Sequence, residues 1–442
     1  MHVMFSQVFK SQGVNRMYPA LNRLLAGITL LASFPVLAEI KWLAEGEIAA
    51  TAHDQSRLGG TLEDGATPRD RVGGLGGALA YSGHGQVFYA VPDRGPGAGE
   101  TTFEERLYQL DLGLHHEGGS YRLEPRITAT HILRDAAGHP LTGDAAAYDA
   151  VNSNVGRRRD SEAVRVAADG ASVFIADEYG PFIDQFEIAT GKLLRDVPVP
   201  NKFHIDYPSR YIREELNRNL IGRQSNRGFE SLAITPDGDR LLAMVQDPLI
   251  QDCNHDAEHK LFGSHNRILD IDLKSGAVKE YVYPLEDPKN GVSEILAIND
   301  HEFLVLERDS KAGAEAKDKR LHLIDLNGAT DVHGYKSLSD QGLVEEESAG
   351  AAHPVFVQKR PFLDLLAHGI PNIPEKIEGM AFGPDLEDGR LLLVLSSDND
   401  FSATENSRYF AFAVDRSELP DYRPQKFASA PHGHPHAKPS HH

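Results

Sequence analysis

Four stretches of the chain carry nearly the same text. Asp160-Ser161-Glu162-Ala163 leads through Asp169-Gly170 to Val173-Phe174-Ile175-Ala176 and then Asp177-Glu178. Gly228-Phe229-Glu230-Ser231 leads through Asp237-Gly238 to Leu241-Leu242-Ala243-Met244-Val245 and then Gln246-Asp247. Val292-Ser293-Glu294-Ile295 leads through Asn299-Asp300 to Phe303-Leu304-Val305-Leu306 and then Glu307-Arg308-Asp309. Ile377-Glu378-Gly379-Met380 leads through Asp388-Gly389 to Leu391-Leu392-Leu393-Val394-Leu395 and then Asp398. Short apolar runs bounded by turn residues read as strands. Asp-Gly and Asn-Asp suit the tight turns that join them, because these residues tolerate positive φ. Each stretch is therefore a β-hairpin with a carboxylate at its start and another at its end.

An internal repeat of one supersecondary unit predicts a ring of small sheets. A fifth, weaker copy comes first: Gly73 to Ala80, then Gln86 to Val91, then Pro92-Asp93-Arg94-Gly95, with glycine where the others carry glutamate. Outer strands follow the hairpins, at Leu107 to Leu112, Gln185 to Ile188, Arg267 to Leu273 and Arg320 to Leu326. The expectation is an all-β chain forming a single β-propeller of five recognisable repeats, with five or six blades. A sixth blade has room between Thr130 and Arg159. The last blade ends at Tyr409 to Val414, and the segment from Glu39 to Ala50 can supply its outer strand, which closes the ring and removes a free edge. The insertion from Asn201 to Arg227 has room for a helix around Ser209 to Asn219.

The ends have other roles. Residues 1–38 hold no acid; Lys10, Arg16 and Arg23 precede the apolar run Leu24 to Ala32, and Val36-Leu37-Ala38 has signal-peptidase spacing. The apolar run is shorter than the ~20 residues that span a bilayer. A signal peptide over 1–38, a propeller over 39–418 and a disordered Pro/His-rich tail over 419–442 follow, and with them a periplasmic or secreted protein with no membrane span after cleavage. Cys253 is the single cysteine, so no intramolecular disulfide forms. The chain carries 65 acidic against 45 basic residues, a net charge of −20. Such a field disfavours nucleic acid and anionic membranes as partners. The histidines between His432 and His442 can capture a transition metal, although a plain soluble tail is the simpler reading.

In an antiparallel hairpin the start of the first strand lies beside the end of the second. Arranged radially, the hairpins bring their terminal acids to one mouth of the central channel. Carboxylates crowded there repel and raise each other's pKa, which a hard cation with oxygen ligands relieves. Calcium suits such a set, and another divalent metal is an alternative. The candidate ligands are Asp93, Glu162, Asp177, Glu230, Asp247, Glu294, Glu378 and Asp398. The competing reading is that these acids only tie strands together through backbone hydrogen bonds. No Gly-x-Ser-x-Gly elbow, phosphate-binding Gly-x-x-x-x-Gly-Lys loop or dinucleotide fingerprint is present.

Five ordered motifs carry a resemblance. They are Pro92-Asp93-Arg94-Gly95; Ser161-Glu162-Ala163 with Ala176 to Pro181; Asn226 to Ala233; Leu306 to Asp309; and Lys376 to Met380. From Gly73 to Val414 the chain resembles the phytase-like domain family known for "esterase-like activity of phytase". The resemblance implies a β-propeller that hydrolyses phosphate or related esters with calcium. The chain has no Lys- and Arg-rich phosphate cleft, which counts against inositol phosphate as the substrate. In this reading a metal-bound water attacks a small-molecule ester. Glu178 or Glu307 serves as general base, and Arg94, Arg227 and Arg308 grip the phosphate. For each arginine a salt bridge to its neighbouring acid is the simpler role. The expected protein is a monomer. Two alternatives stand beside it: a non-catalytic, calcium-stabilised propeller that binds a ligand or protein, and a lactonase.

Overall fold

The computed structural model describes residues 39–149, 156–256 and 260–428. The leader and the histidines from His432 onward lie outside the described residues. Each hairpin read from the sequence forms the inner half of a four-stranded antiparallel sheet, and there are five such sheets. Blade 1 runs outward through Ala80–Tyr81, Val87–Ala90, Arg106–Asp111 and Arg126–Ile132. Blade 2 comprises Ser161–Val166, Phe182–Glu187 and Leu193–Asp196, with Ser172–Asp177 as its second strand. Blade 3 comprises Phe229–Ile234, Arg240–Val245, His265–Asp272 and Val278–Pro284. Blade 4 comprises Gly291–Ala297, Glu302–Arg308, Lys319–Asp325 and Gln358–Asp364. Blade 5 comprises Ile377–Phe382, Leu391–Ser397 and Ser407–Val414, and its outermost strand is the N-terminal Ile40–Ile48. Lys41 opposite Ala413 and Ile48 opposite Ser407 fix that closing register.

The inner strands touch in the cyclic order 1-2-3-4-5-1. Five buried apolar clusters fill the five seams, and each draws on two adjacent blades. The seam between blades 2 and 3, for example, packs Ala163 and Phe174 against Leu232 and Leu241. Burial on both faces explains why the inner strands read as continuous apolar runs rather than alternating ones. The architecture is a five-bladed β-propeller. The sixth blade considered between Thr130 and Arg159 is not formed: Thr130 belongs to the outermost strand of blade 1, and among the described residues up to Arg159 only isolated bridges follow. The insertion after blade 2 carries the short helix Ile212–Arg218, as expected.

The stretch expected to start a disordered tail at 419 is instead laid across the base of the ring through residue 428. Its backbone donates to Ile298 from Arg423, to Pro236 from Lys426 and to Ala168 from Ala428. The Tyr422 ring packs tilted against Phe382 of blade 5, with centroids 4.5 Å apart, and Phe427 sits over Gly83 of blade 1. The strap thus contacts the base of every blade. Among the described residues no helix is long and apolar enough to cross a membrane.

Candidate functional site

Register pairs place both ends of each hairpin at one face of the ring: Ser161 opposite Asp177, Phe229 opposite Val245, Val292 opposite Glu307 and Ile377 opposite Ser397. Immediately after each pair the inner strand has a one-residue bulge. The extra residue is Glu162, Glu230, Ser293 or Glu378. A bulge re-aims its side chain away from the ordinary alternation. Three glutamates and one serine therefore share this position. In blade 1 the position is taken by the glycine run. A Cβ on Gly77 would lie 3.5 Å from Glu378 Oε2 and 3.6 Å from Glu162 Oε2, so the missing side chain leaves space between two carboxylates.

Asp93, Asp160 and Glu162 converge, each offering an oxygen within 4.8 Å of the others. Asp93, Asp398 and Asp400 form a second group within the same limit. Asp93 belongs to both, and its Oδ1 is buried with no hydrogen-bond partner. Burial pushes the Asp93 carboxyl up to about 7, against the pull of Arg94. Asp398 is pushed up to about 7 in the same way, against the pull of Lys376. Glu162 is held well above its usual range by burial and then by the charge of Glu230; Glu230 is held high by burial and then by Glu378. All donors in the first group are carboxylate oxygens, with no histidine or cysteine among them. The orphaned Asp93 oxygen and the space at Gly77 fit a hard cation. In the second group Lys376 Nζ already bonds Asp398 at 3.2 Å and Asp400 at 3.0 Å.

Residues 70–401 match the phytase-like family described as "esterase-like activity of phytase". The chain belongs to this family. A relative from Arthroderma benhamiae, described as an uncharacterized secreted protein, is 27% identical over 58% of this chain and 64% of its own length. The chain thus spans less than two thirds of that relative. Among solved structures it is distantly similar to Kuenenia stuttgartiensis hydrazine synthase, at 12% identity over 73% of this chain and 75% of that one, with a TM-score of 0.34. A luciferin-regenerating enzyme aligns at 9% identity over 82% and 96%, with a TM-score of 0.36. Nothing about chemistry rests on likenesses of that size.

The remaining candidate residues of the phytase-like mouth take several places. Asp177 accepts from the backbone N–H groups of Asp160 and Gly180, so it shapes the loop that presents Asp160. Asp247 pairs with Arg227 Nε at 3.0 Å. Glu294 follows the bulge instead of occupying it. It pairs with Arg165 Nη2 at 2.9 Å, and Arg165 also donates to the carbonyls of Leu79 and Ile295, which ties blades 1, 2 and 4 across the bore. That ion pair is a plug within the channel.

Glu307 lies in the seam between blades 3 and 4. It accepts from Tyr283 (2.8 Å), Asn290 (2.9 Å), Lys359 (2.8 Å) and the backbone of Glu286 (2.7 Å). Every lone pair facing a donor is used, and the residue has no exposed surface. Glu178 stays at the mouth, where Arg94 Nη1 reaches it at 3.3 Å. Arg94 also pairs with Asp160, and Arg308 pairs with Glu378. Arg227 is the most exposed of the three arginines, with 42% of its side chain accessible. The sequence reading missed two of the grouped acids, Asp400 and, in the first group, Asp160. Its signal was present, since it directly precedes Ser161-Glu162, but a carboxylate before a strand reads as a turn residue. Cys253 is buried, and burial pushes its thiol up to about 12, consistent with an inert side chain.

Proposed function

We propose that this chain is an exported, metal-dependent hydrolase of ester bonds, acting on phosphate esters at the acidic mouth of the ring. The observation that carries the reading is the meeting of Asp93, Asp160 and Glu162 with a buried, unpartnered Asp93 oxygen. These three residues would hold the cation, and calcium is the best match to an all-carboxylate set. A bound cation would polarise the ester oxygen and lower the pKa of a water. Glu230 acts on Glu162 through its charge and accepts from Gln246 Nε2 at 2.9 Å, and burial followed by the charge of Glu378 holds its carboxyl well above the usual range. It is the group suited to give a proton to a leaving oxygen. Glu178 takes the part of base in this reading, and Arg227 orients the substrate anion. Glu307 has no part in it, because its carboxylate is enclosed.

The family membership and the secreted relative support export and an esterase-like chemistry. The test is to strip metal from the protein with chelator and assay a generic phosphomonoester and a carboxylic ester with and without calcium. Calcium-dependent turnover of the phosphomonoester supports the proposal. Turnover of neither ester under any divalent metal overturns it.

A further inference from the structure

Nine large apolar side chains are strongly exposed among the described residues, and five of them fall in the insertion after blade 2: Tyr207 (50%), Tyr211 (62%), Ile212 (53%), Leu220 (83%) and Ile221 (43%). A single exposed leucine needs no explanation; a concentration in 15 consecutive positions does. The fold holds them together. Asn219 Oδ1 accepts from the backbone N–H groups of Asp206 and Tyr207 at 2.9 Å each, and its Nδ2 donates to the Tyr207 carbonyl at 2.9 Å, which sets Leu220 near Tyr207. The insertion is also anchored firmly. Glu215 pairs with Arg223, and Arg223 donates to the Tyr179 carbonyl through Nε at 3.1 Å and through Nη2 at 2.7 Å. Tyr179 adjoins Glu178, so the insertion that carries the patch is rooted beside the acidic mouth and serves as its lip.

The lip is also charged: the exposed arginines are Arg210, Arg213 and Arg218, and the exposed acids are Asp206 and Glu214, the last paired with Arg218 at 3.2 Å. Arg218 lies over the Tyr207 ring at 4.9 Å and Arg210 over the Tyr211 ring at 5.7 Å. Arg210 and Arg213 are exposed and make no ion pair among the described residues. We infer that this lip docks on a phospholipid surface. Tyrosine and arginine beside aliphatic side chains suit the interface, where rings sit at headgroup depth and guanidinium groups reach the phosphates. The whole-chain charge of −20 argues against an anionic surface. Screening over about 8 Å at physiological salt leaves the local arginines to decide the contact. The docking holds whatever the mouth turns over, and it would place that mouth beside lipid-borne molecules.

The experiment is vesicle flotation of the mature chain with phosphatidylcholine vesicles, with and without phosphatidylglycerol. Binding is expected to both, and more strongly with phosphatidylglycerol. Replacing Tyr207, Tyr211, Ile212 and Leu220 together by serine is expected to lower partitioning roughly tenfold, since membrane binding scales with the apolar area inserted. An unchanged melting temperature would show that the variant is folded, and Tyr207→Ser with Leu220→Ser is the milder substitute. The pair Arg210→Glu and Arg213→Glu is expected to remove the preference for phosphatidylglycerol. Wild-type protein that floats with neither vesicle, or a folded serine variant that floats like wild type, overturns the inference. So does self-association in the ultracentrifuge that the serine variant abolishes without any vesicle binding, because the patch then serves a second copy of the chain.

Discussion

Arg308 Nε donates to Ser293 Oγ at 2.8 Å, and its Nη2 pairs with Glu378. Ser293 occupies the bulge that holds glutamate in blades 2, 3 and 5. Blade 4 therefore contributes a cation where those three contribute an anion, and that cation offsets Glu378 of blade 5. Arg308 is buried. Replacing it by methionine takes away the hydrogen-bonded ion-pair partner of Glu378 and leaves only the charge of Lys376 to offset it, and a loss of about 3–5 kcal/mol is expected in denaturant unfolding. A loss under 1 kcal/mol would show that Glu378 finds solvent or another partner.

Asp93→Asn separates charge from shape. Its Oδ1 has no partner, and burial already disfavours its ionised form. The metal-free variant is expected to melt at or above the wild-type temperature. The rise in melting temperature on adding calcium is expected to disappear. A variant that still gains stability from calcium would remove Asp93 from the ligand set.

The raised acids set a pH dependence. Asp93, Asp177, Asp398 and Glu294 all stand at about 7 in the folded chain, against 3.8 for a free Asp and 4.5 for a free Glu. Between those values the folded state binds more protons than the unfolded one. Their contribution is thus fully present below about pH 4 and is lost as pH rises through about 7. Melting temperature measured in chelator is expected to fall over that window from these groups, and calcium at neutral pH is expected to restore it. A metal-free melting temperature that climbs from pH 5 to 7 would contradict the assignment.

The plug in the bore offers a double-mutant test. Arg165→Leu leaves Glu294 unpaired in a buried place and is expected to cost about 3–5 kcal/mol. Arg165→Leu with Glu294→Leu is expected to recover much of that loss, as an apolar pair can replace a buried ion pair. Equal costs for the single and double variants would mean that the carbonyl bonds from Arg165, not its charge partner, hold the blades.

The strap makes a simpler prediction. Ending the chain after Glu418 removes Tyr422, Phe427 and the three backbone bonds from Arg423, Lys426 and Ala428. A melting temperature several degrees lower than that of a chain ending at Ala428 is expected, from about 2 kcal/mol or more of lost burial and hydrogen bonding. Identical melts would show that the strap adds nothing to the ring.

The amino-acid sequence alone determined the repeating hairpins, the use of Ile40–Ile48 to close the last blade, and the gathering of hairpin-end acids at one face. Each of these follows from local rules: apolar runs, turn residues and the antiparallel return of a strand. The blade count needed the structure, because the loop after Thr130 is long enough for a blade that does not form. The tertiary structure also decided which acids meet. Glu294 aligns with Glu162, Glu230 and Glu378 in the text, yet the bulge falls on Ser293, and one residue of offset sends Glu294 to Arg165 instead. Asp160 reaches Asp93 only because blade 2 packs beside blade 1, a contact between positions 67 apart along the chain. Side-chain alternation cannot register a bulge, and no local pattern encodes contact between neighbouring blades, so both had to come from the packed ring.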